Sequence, residues 1–224
     1  MAQTTNLHLP KNAPIDLQLH TAYSDGDWTA ELLLDHLAQE QFALAAITDH
    51  ERPDTAVHLQ QLAQEKGVPL LVAVEMTTTW RGQMTDFLCF GFDPHHNALT
   101  VLARDIWRRQ RENTREVYEN ILRNGYPLPE SPEALTAVLA KPSAKQPDEL
   151  AALVKGALIK GAPVKNQDHD SEEMSAWKII MEAGCAFQTS DVPTVVEAAH
   201  QSGGVCLLAH PGRTDGFMTF DIDL

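Results

Sequence analysis

The alternation of Ile15, Leu17 and Leu19 with Asp16, Gln18 and His20, broken by the polar run Thr21 to Gly26, is the feature that most limits what this chain can become. Period-two alternation predicts a strand, and its polar face collects potential metal donors. The run then turns at Asp25-Gly26, where glycine permits a tight bend and leaves the aspartate free to point outward. A strand that presents His and Asp at its C-terminal end is how an α/β protein builds a site.

The same design recurs downstream. Thr29 is placed to cap a helix whose apolar positions Leu32, Leu33, Leu37 and Ala38 follow helical spacing. Phe42 to Ile47 is apolar without alternation, as a strand buried on both faces is, and it ends in Thr48-Asp49-His50. A helix from Thr55 to Lys66 stops at Gly67, and the strand Pro69 to Val74 ends in Glu75. Three βα units in succession would place His20, Asp25, His50 and Glu75 on one rim of a parallel sheet or barrel.

Beyond Thr77 the pattern loosens. Arg81-Gly82-Gln83 reads as a turn, Met84 to Phe92 as a strand, and Ala98 to Asn124 as a long helix ended by Gly125. On that helix, Arg108/Glu112 and Arg115/Glu119 are four apart. Its arginines, Arg109 and Arg111 included, therefore read as a solvated, salt-bridged face in preference to a phosphate site. Prolines at 127, 129, 132, 142, 147 and 163 punctuate short helical stretches. The expected organisation is 1–93 as the first part of an α/β domain, 94–190 as a helical insertion, and 191–224 as its return. Helix resumes near Pro193, and the apolar strand Val205 to Ala209 delivers His210-Pro211-Gly212-Arg213.

Composition removes several classes. No apolar run approaches the roughly 18 residues of a membrane helix, and Met1 to Thr5 has neither a basic start nor an apolar core. Cys89, Cys185 and Cys206 form no CxxC spacing and read as buried reduced thiols, so a cytoplasmic location is expected. A formal charge of -14 argues against a long nucleic-acid footprint. It suits a small anionic substrate if bound cations supply local positive charge.

Each donor has an ordinary reading, as a hydrogen-bonded core histidine or a solvated carboxylate at a strand end. The ordered set His20, Asp25, His50, Glu75 and His210 points instead to divalent metal. Imidazole with carboxylate suits Zn, Mn or Fe, with Mg also compatible, and a glutamate can bridge two ions.

These segments resemble the polymerase-and-histidinol-phosphatase (PHP) superfamily of metal-dependent phosphoesterases. The matching runs are Asp16-Leu17-Gln18-Leu19-His20-Thr21 with Ser24-Asp25-Gly26, Ile47-Thr48-Asp49-His50, Val74-Glu75, and Ala209-His210-Pro211-Gly212-Arg213. Within it the chain looks most like the branch with a helical insertion, which includes nucleotide and nucleoside-bisphosphate phosphatases. The resemblance implies a distorted, seven-stranded (β/α) barrel with two or three metal ions on its C-terminal rim. It assigns His20 to a first ion, Glu75 to a bridge, His210 to a second ion, and Asp25 with His50 to a third. Asp49 would support that cluster and Arg213 would reach the substrate phosphate. The implied activity is hydrolysis of a small phosphorylated metabolite or nucleotide. A degenerate, metal-binding but non-catalytic domain and an amidohydrolase-like enzyme are the competing readings.

Three features depart from the family pattern. Gln18 stands where a histidine is usual; as a ligand it would offer a hard amide oxygen and favour Mn or Mg over Zn. His169 is the one nearby candidate for a histidine the family takes from the region of the insert. The family's last Asp and His ligands have no counterpart before Leu224. An incomplete barrel with an open edge is therefore expected, and self-association could cover it.

Overall fold

The computed structural model describes residues 9–126, 128, 132–159 and 172–211. Arg213 and His169, both singled out above, lie outside the described residues. Strand β1 (Ile15–Leu19) leads to α1 (Ala30–Gln39), β2 (Leu44–Ile47) to α2 (Ala56–Lys66), and β3 (Leu70–Leu71) to a hairpin of β4 (Ala73–Trp80) and β5 (Gln83–Phe90). Then come α3 (Leu99–Arg123), α4 (Pro132–Leu139), α5 (Gln146–Ile159), α6 (Glu172–Glu182), β6 (Ser190–Asp191), α7 (Val192–Gln201) and β7 (Val205–Leu208).

Local signals placed most boundaries. Thr29 caps α1 by accepting from the Leu32 amide, Gly67 ends α2 with φ 70°, and Asp191 caps α7. The buried face of α1 is Ala30, Leu33, Leu34 and Leu37. Leu32, expected inside, is 53% exposed, and Ala38 is also outside. The stripe i, i+3, i+4, i+7 begins one turn position earlier than the sequence reading had it.

Two sheets form. One is the parallel set β1-β2-β3, and the other runs in the order β6-β4-β5-β7. They meet where Glu75 pairs with His50: the Glu75 amide donates to Thr48, and the Glu51 amide donates to Glu75. Leu17, Ala46, Leu71, Ala73, Leu88, Phe90 and Ala209 pack between strands of both sheets. Helices α1 and α2 cover β2 through Leu34, Leu37, Ile47 and Leu59, while α3 and α7 cover β4 and β5 through Ile106, Val195, Met76 and Phe92.

The expectation of three successive parallel βα units is corrected at the third. Glu75 does not end its strand. The β-branched and aromatic run Thr77 to Trp80 continues β4, and Arg81 and Gly82, with φ 49° and 82°, turn it tightly into antiparallel β5. Strand β1 also departs from strict alternation. Its register against β2 shifts between Asp16 and Leu19, so Leu17 joins the inter-sheet cluster while Leu19 joins the helix-facing one. Among the described residues, α4, α5, α6 and the C-terminal half of α3 share a separate core around Ile121, Leu150, Val154 and Ile180.

Candidate metal centre

Glu75 is the hub. Its position inside β4, pinned by the backbone bridge to His50, buries it completely. Its carboxylate lies 3.0 Å from His20 Nε2 and 3.4 Å from His210 Nε2. Gln18 Nε2 donates to both carboxylate oxygens, at 3.2 and 3.1 Å. Gln18 therefore reaches the cluster, as its place on the polar face predicted, but it holds Glu75 and is oriented as a donor.

On one side of Glu75 stand His20 and His50, with ring centroids 4.9 Å apart. Asp25 sits between them, 2.8 Å from His20 Nδ1 and 3.8 Å from His50 Nε2. The turn that carries Asp25 is fixed from beneath by Asp49. That carboxylate accepts from the Thr21 amide (2.7 Å), the Thr21 hydroxyl (2.6 Å) and the Ser24 hydroxyl (2.7 Å). Asp49, expected to support the cluster, does so by facing the turn and positioning it. Gly26 is needed for close approach: a Cβ there would lie 2.4 Å from the His20 carbonyl oxygen. Its φ is not in the left-handed region, contrary to the simplest reading of Asp-Gly.

On the other side stand Asp86, from β5, and His210, just past β7. His210 Nε2 is 3.9 Å from Asp86 Oδ2. Asp86 was missed in the sequence, where it sits in a strand already explained by its apolar neighbours. The overlooked signal was an acidic residue on the face that also carries Leu88 and Phe90. Glu51 was missed too: it is buried at φ 52° and accepts from the Thr77 amide.

The donors fall into two overlapping groups, His20–His50–Glu75 and Glu75–Asp86–His210, each with ligand atoms within 4.8 Å of one another. Buried His210 Nδ1 and Asp86 Oδ1 lack hydrogen-bond partners. His20 Nδ1 is near Asp25 but not aligned for a hydrogen bond, and is likewise unpartnered. Burial would lower the His20 pKa, yet Asp25 and Glu75 outweigh it and raise it to about 10. Burial also opposes charge on His50, and Glu51, Glu75, Asp86 and Asp25 together raise its pKa. Burial is likewise overcome at Asp25, held far below the carboxylate range by His20 and His50, and at Glu75, lowered by the same histidines. At Asp86, burial prevails, and neighbouring Glu75 adds to it, so its pKa rises. A dense anionic cluster that draws protons onto imidazoles is short of positive charge, and its orphaned N and O atoms fit divalent cations.

An α/β scaffold with a shared glutamate between two imidazole–carboxylate groups defines a protein with a candidate two-ion metal centre. The PHP domain family model matches residues 16–185, and the chain belongs to that family. It is 24% identical over 202 residues to a 5'-3' exoribonuclease of Haemophilus influenzae, covering 88% of this chain and 69% of that protein. It is 30% identical over 105 residues to a 3',5'-nucleoside bisphosphate phosphatase of Chromobacterium violaceum, covering 47% and 37% of the two chains. Among solved structures, one titled as a candidate metal-dependent phosphoesterase from Bifidobacterium adolescentis superposes with a TM-score of 0.70 at 18% identity. That match covers 94% of this chain and 72% of the other.

Proposed function

We propose that this chain is a metal-dependent phosphoesterase that hydrolyses a small phosphorylated metabolite or nucleotide. The observation that carries the reading is Glu75, buried and shared by two donor groups that hold unpartnered nitrogen and oxygen atoms. The relatives named as exoribonuclease and nucleoside bisphosphate phosphatase act on phosphate esters, which supports phosphate over an amide as the target.

His20 and His50, with Asp25 beside them, would hold one ion, Asp86 and His210 a second, and Glu75 would contact both. A bound divalent pair supplies Lewis acidity and an activated water nucleophile, which removes the need for a covalent protein nucleophile. The chain's own residues do the rest. Asp49 keeps the Thr21–Ser24 turn in place, and Gln18 fixes the Glu75 carboxylate by hydrogen bonding. Arg213, placed by sequence three residues after His210, is assigned the substrate phosphate, since guanidinium matches its geometry. Mn, Zn or Fe suit the donor set, with Mg compatible.

The finer architecture belongs to the same proposal. The inter-sheet cluster and the His50–Glu75 bridge support a distorted (β/α)7 barrel, with residues 94–190 as a helical insertion. No helix among the described residues is long and apolar enough to cross a membrane, and a cytoplasmic location is proposed. Self-association at an open barrel edge is proposed as well, because β1 and β7 are outermost among the described strands and Val205 and Leu207 are exposed. One observation favours a metal-binding, non-catalytic domain: Gln18 spans both Glu75 oxygens. Metal analysis paired with a phosphate-release screen over nucleotides and sugar phosphates separates the readings. Stoichiometric metal with release supports the enzyme, and metal without release from any ester supports the binding domain.

A further inference from the structure

Away from the metal centre, two of the three cysteines stand directly opposite each other. Cys89 on β5 and Cys206 on β7 are register partners of an antiparallel pair, with Sγ atoms 3.5 Å apart. Opposed residues on antiparallel strands have Cα atoms about 4.5–5.5 Å apart, inside the disulfide window of about 4.4–6.8 Å. Closing the remaining gap requires rotation of two side chains and no change of register. Cys185 lies in the helical core with Ile180 and Val117 and belongs to a different cluster.

The two thiols have unequal surroundings. Cys89 is fully buried under α3 and α7, whereas Cys206 is half-buried on the outermost strand of its sheet. Contact with Cys206, followed by burial, pushes the Cys89 thiol up, while hydrogen bonding from Cys89 holds Cys206 below its ordinary value. Cys206 is thus the first to ionise and the first to meet a solute.

We propose that Cys89 and Cys206 form a reversible dithiol–disulfide pair, oxidised by hydrogen peroxide, that locks β7 onto β5. The Cys206 thiolate attacks one peroxide oxygen, the O–O bond breaks, and hydroxide leaves to become water, giving a sulfenic acid. Cys89 sulfur then attacks Cys206 sulfur; the S–S bond forms, the S–O bond breaks, and the departing hydroxide leaves as water with the Cys89 proton. Two thiols and one peroxide become one disulfide and two waters, and a small-molecule thiol reverses the bond by exchange. The lock acts on the strands that carry Asp86, three residues before Cys89, and His210, four residues after Cys206.

The test treats the full chain with hydrogen peroxide, alkylates the remaining thiols, and maps the peptides. The expected result is a Cys89–Cys206 cross-linked peptide with Cys185 still alkylated and an intact mass lower by about 2 Da. Amide exchange over 205–208 should slow at least about tenfold against the reduced protein. Cys206→Ser and Cys206→Ala should each remove both changes, and Cys185→Ser should keep them. The proposal is overturned if both cysteines stay alkylatable, if Cys206 stops at a sulfinic acid or bridges two chains, or if the cross-link forms without slowing exchange in β7.

Discussion

The two halves of the candidate metal centre share Glu75 and are built differently. The half made by β1 and β2 is braced: Asp49 accepts three hydrogen bonds from the turn that presents Asp25, and Asp25 in turn sits against His20 and His50. The half made by β5 and β7 is open. Asp86 and His210 carry unpartnered polar atoms, and β7, four residues long, is outermost among the described strands of its sheet. A fold can hold charge in place with its own hydrogen bonds, or leave donors that only a cation satisfies. Among the described residues, this molecule relies mainly on the first on the β1–β2 side of Glu75, where His20 Nδ1 alone stays unpartnered, and on the second on the other.

The largest expected effect falls where the halves meet. Glu75→Gln keeps the shape but removes the shared charge. Even residues that only orient a ligand cost about 10–100-fold in metal affinity. Glu75→Gln should therefore weaken metal binding at least about 100-fold on both sides, read by titration with Mn. Weakening confined to one ion would mean that Glu75 is not shared.

Asp49→Asn tests the braced half. Hydrogen bonds to a buried carboxylate are worth about 1.5–3 kcal/mol each, and an amide still accepts some of them. A loss of about 2–3 kcal/mol in urea unfolding of the metal-free protein is expected. Asp86→Asn tests the open half and should act in the opposite direction. Burial already disfavours the Asp86 charge and leaves its Oδ1 without a hydrogen-bond partner, so removing that charge should raise metal-free stability by about 1 kcal/mol while weakening metal binding. Destabilisation by both substitutions would erase the contrast.

pH provides a further test of the braced half. His20 has its folded pKa raised from 6.5 to about 10, so its stabilisation is full below about pH 6.5 and is lost as pH rises through about 10. Stability of the metal-free protein should fall across that window. Metal-loaded protein, in which the imidazole must be unprotonated, should not follow that decline. Gln18→His carries the smallest expected effect. Exchanging the amide for an imidazole should tighten Zn more than Mn by about 1–2 kcal/mol. Unchanged affinity for both would confine position 18 to holding Glu75.

How far the sequence could be read follows the same division. His20, Asp25 and His50 were visible because each follows or interrupts a run whose periodicity changes abruptly, and local chemistry dictates those breaks. His210 was visible for the same reason. Glu75 was visible as the first charged residue after the apolar run Pro69 to Val74, although its strand continues past it. Asp86 was not, because its role comes from cross-strand register with β4 and β7, a long-range pairing that local patterning does not encode. The hairpin that carries it was read as separate strands, since the threonine-rich run Thr77 to Trp80 that continues β4 breaks the apolar pattern of Pro69 to Val74. Asp49 was recognised as a supporting residue, but the turn it braces became evident only once Thr21 and Ser24 were placed around it.

The claim at the centre of this account is that one buried carboxylate serves two cation positions. Electron paramagnetic resonance of the Mn-loaded chain, together with metal counting, tests it most directly. Two ions per chain with an exchange-coupled spectrum, lost in Glu75→Gln, is the predicted result. A single uncoupled ion, or no bound Mn after loading, would contradict it.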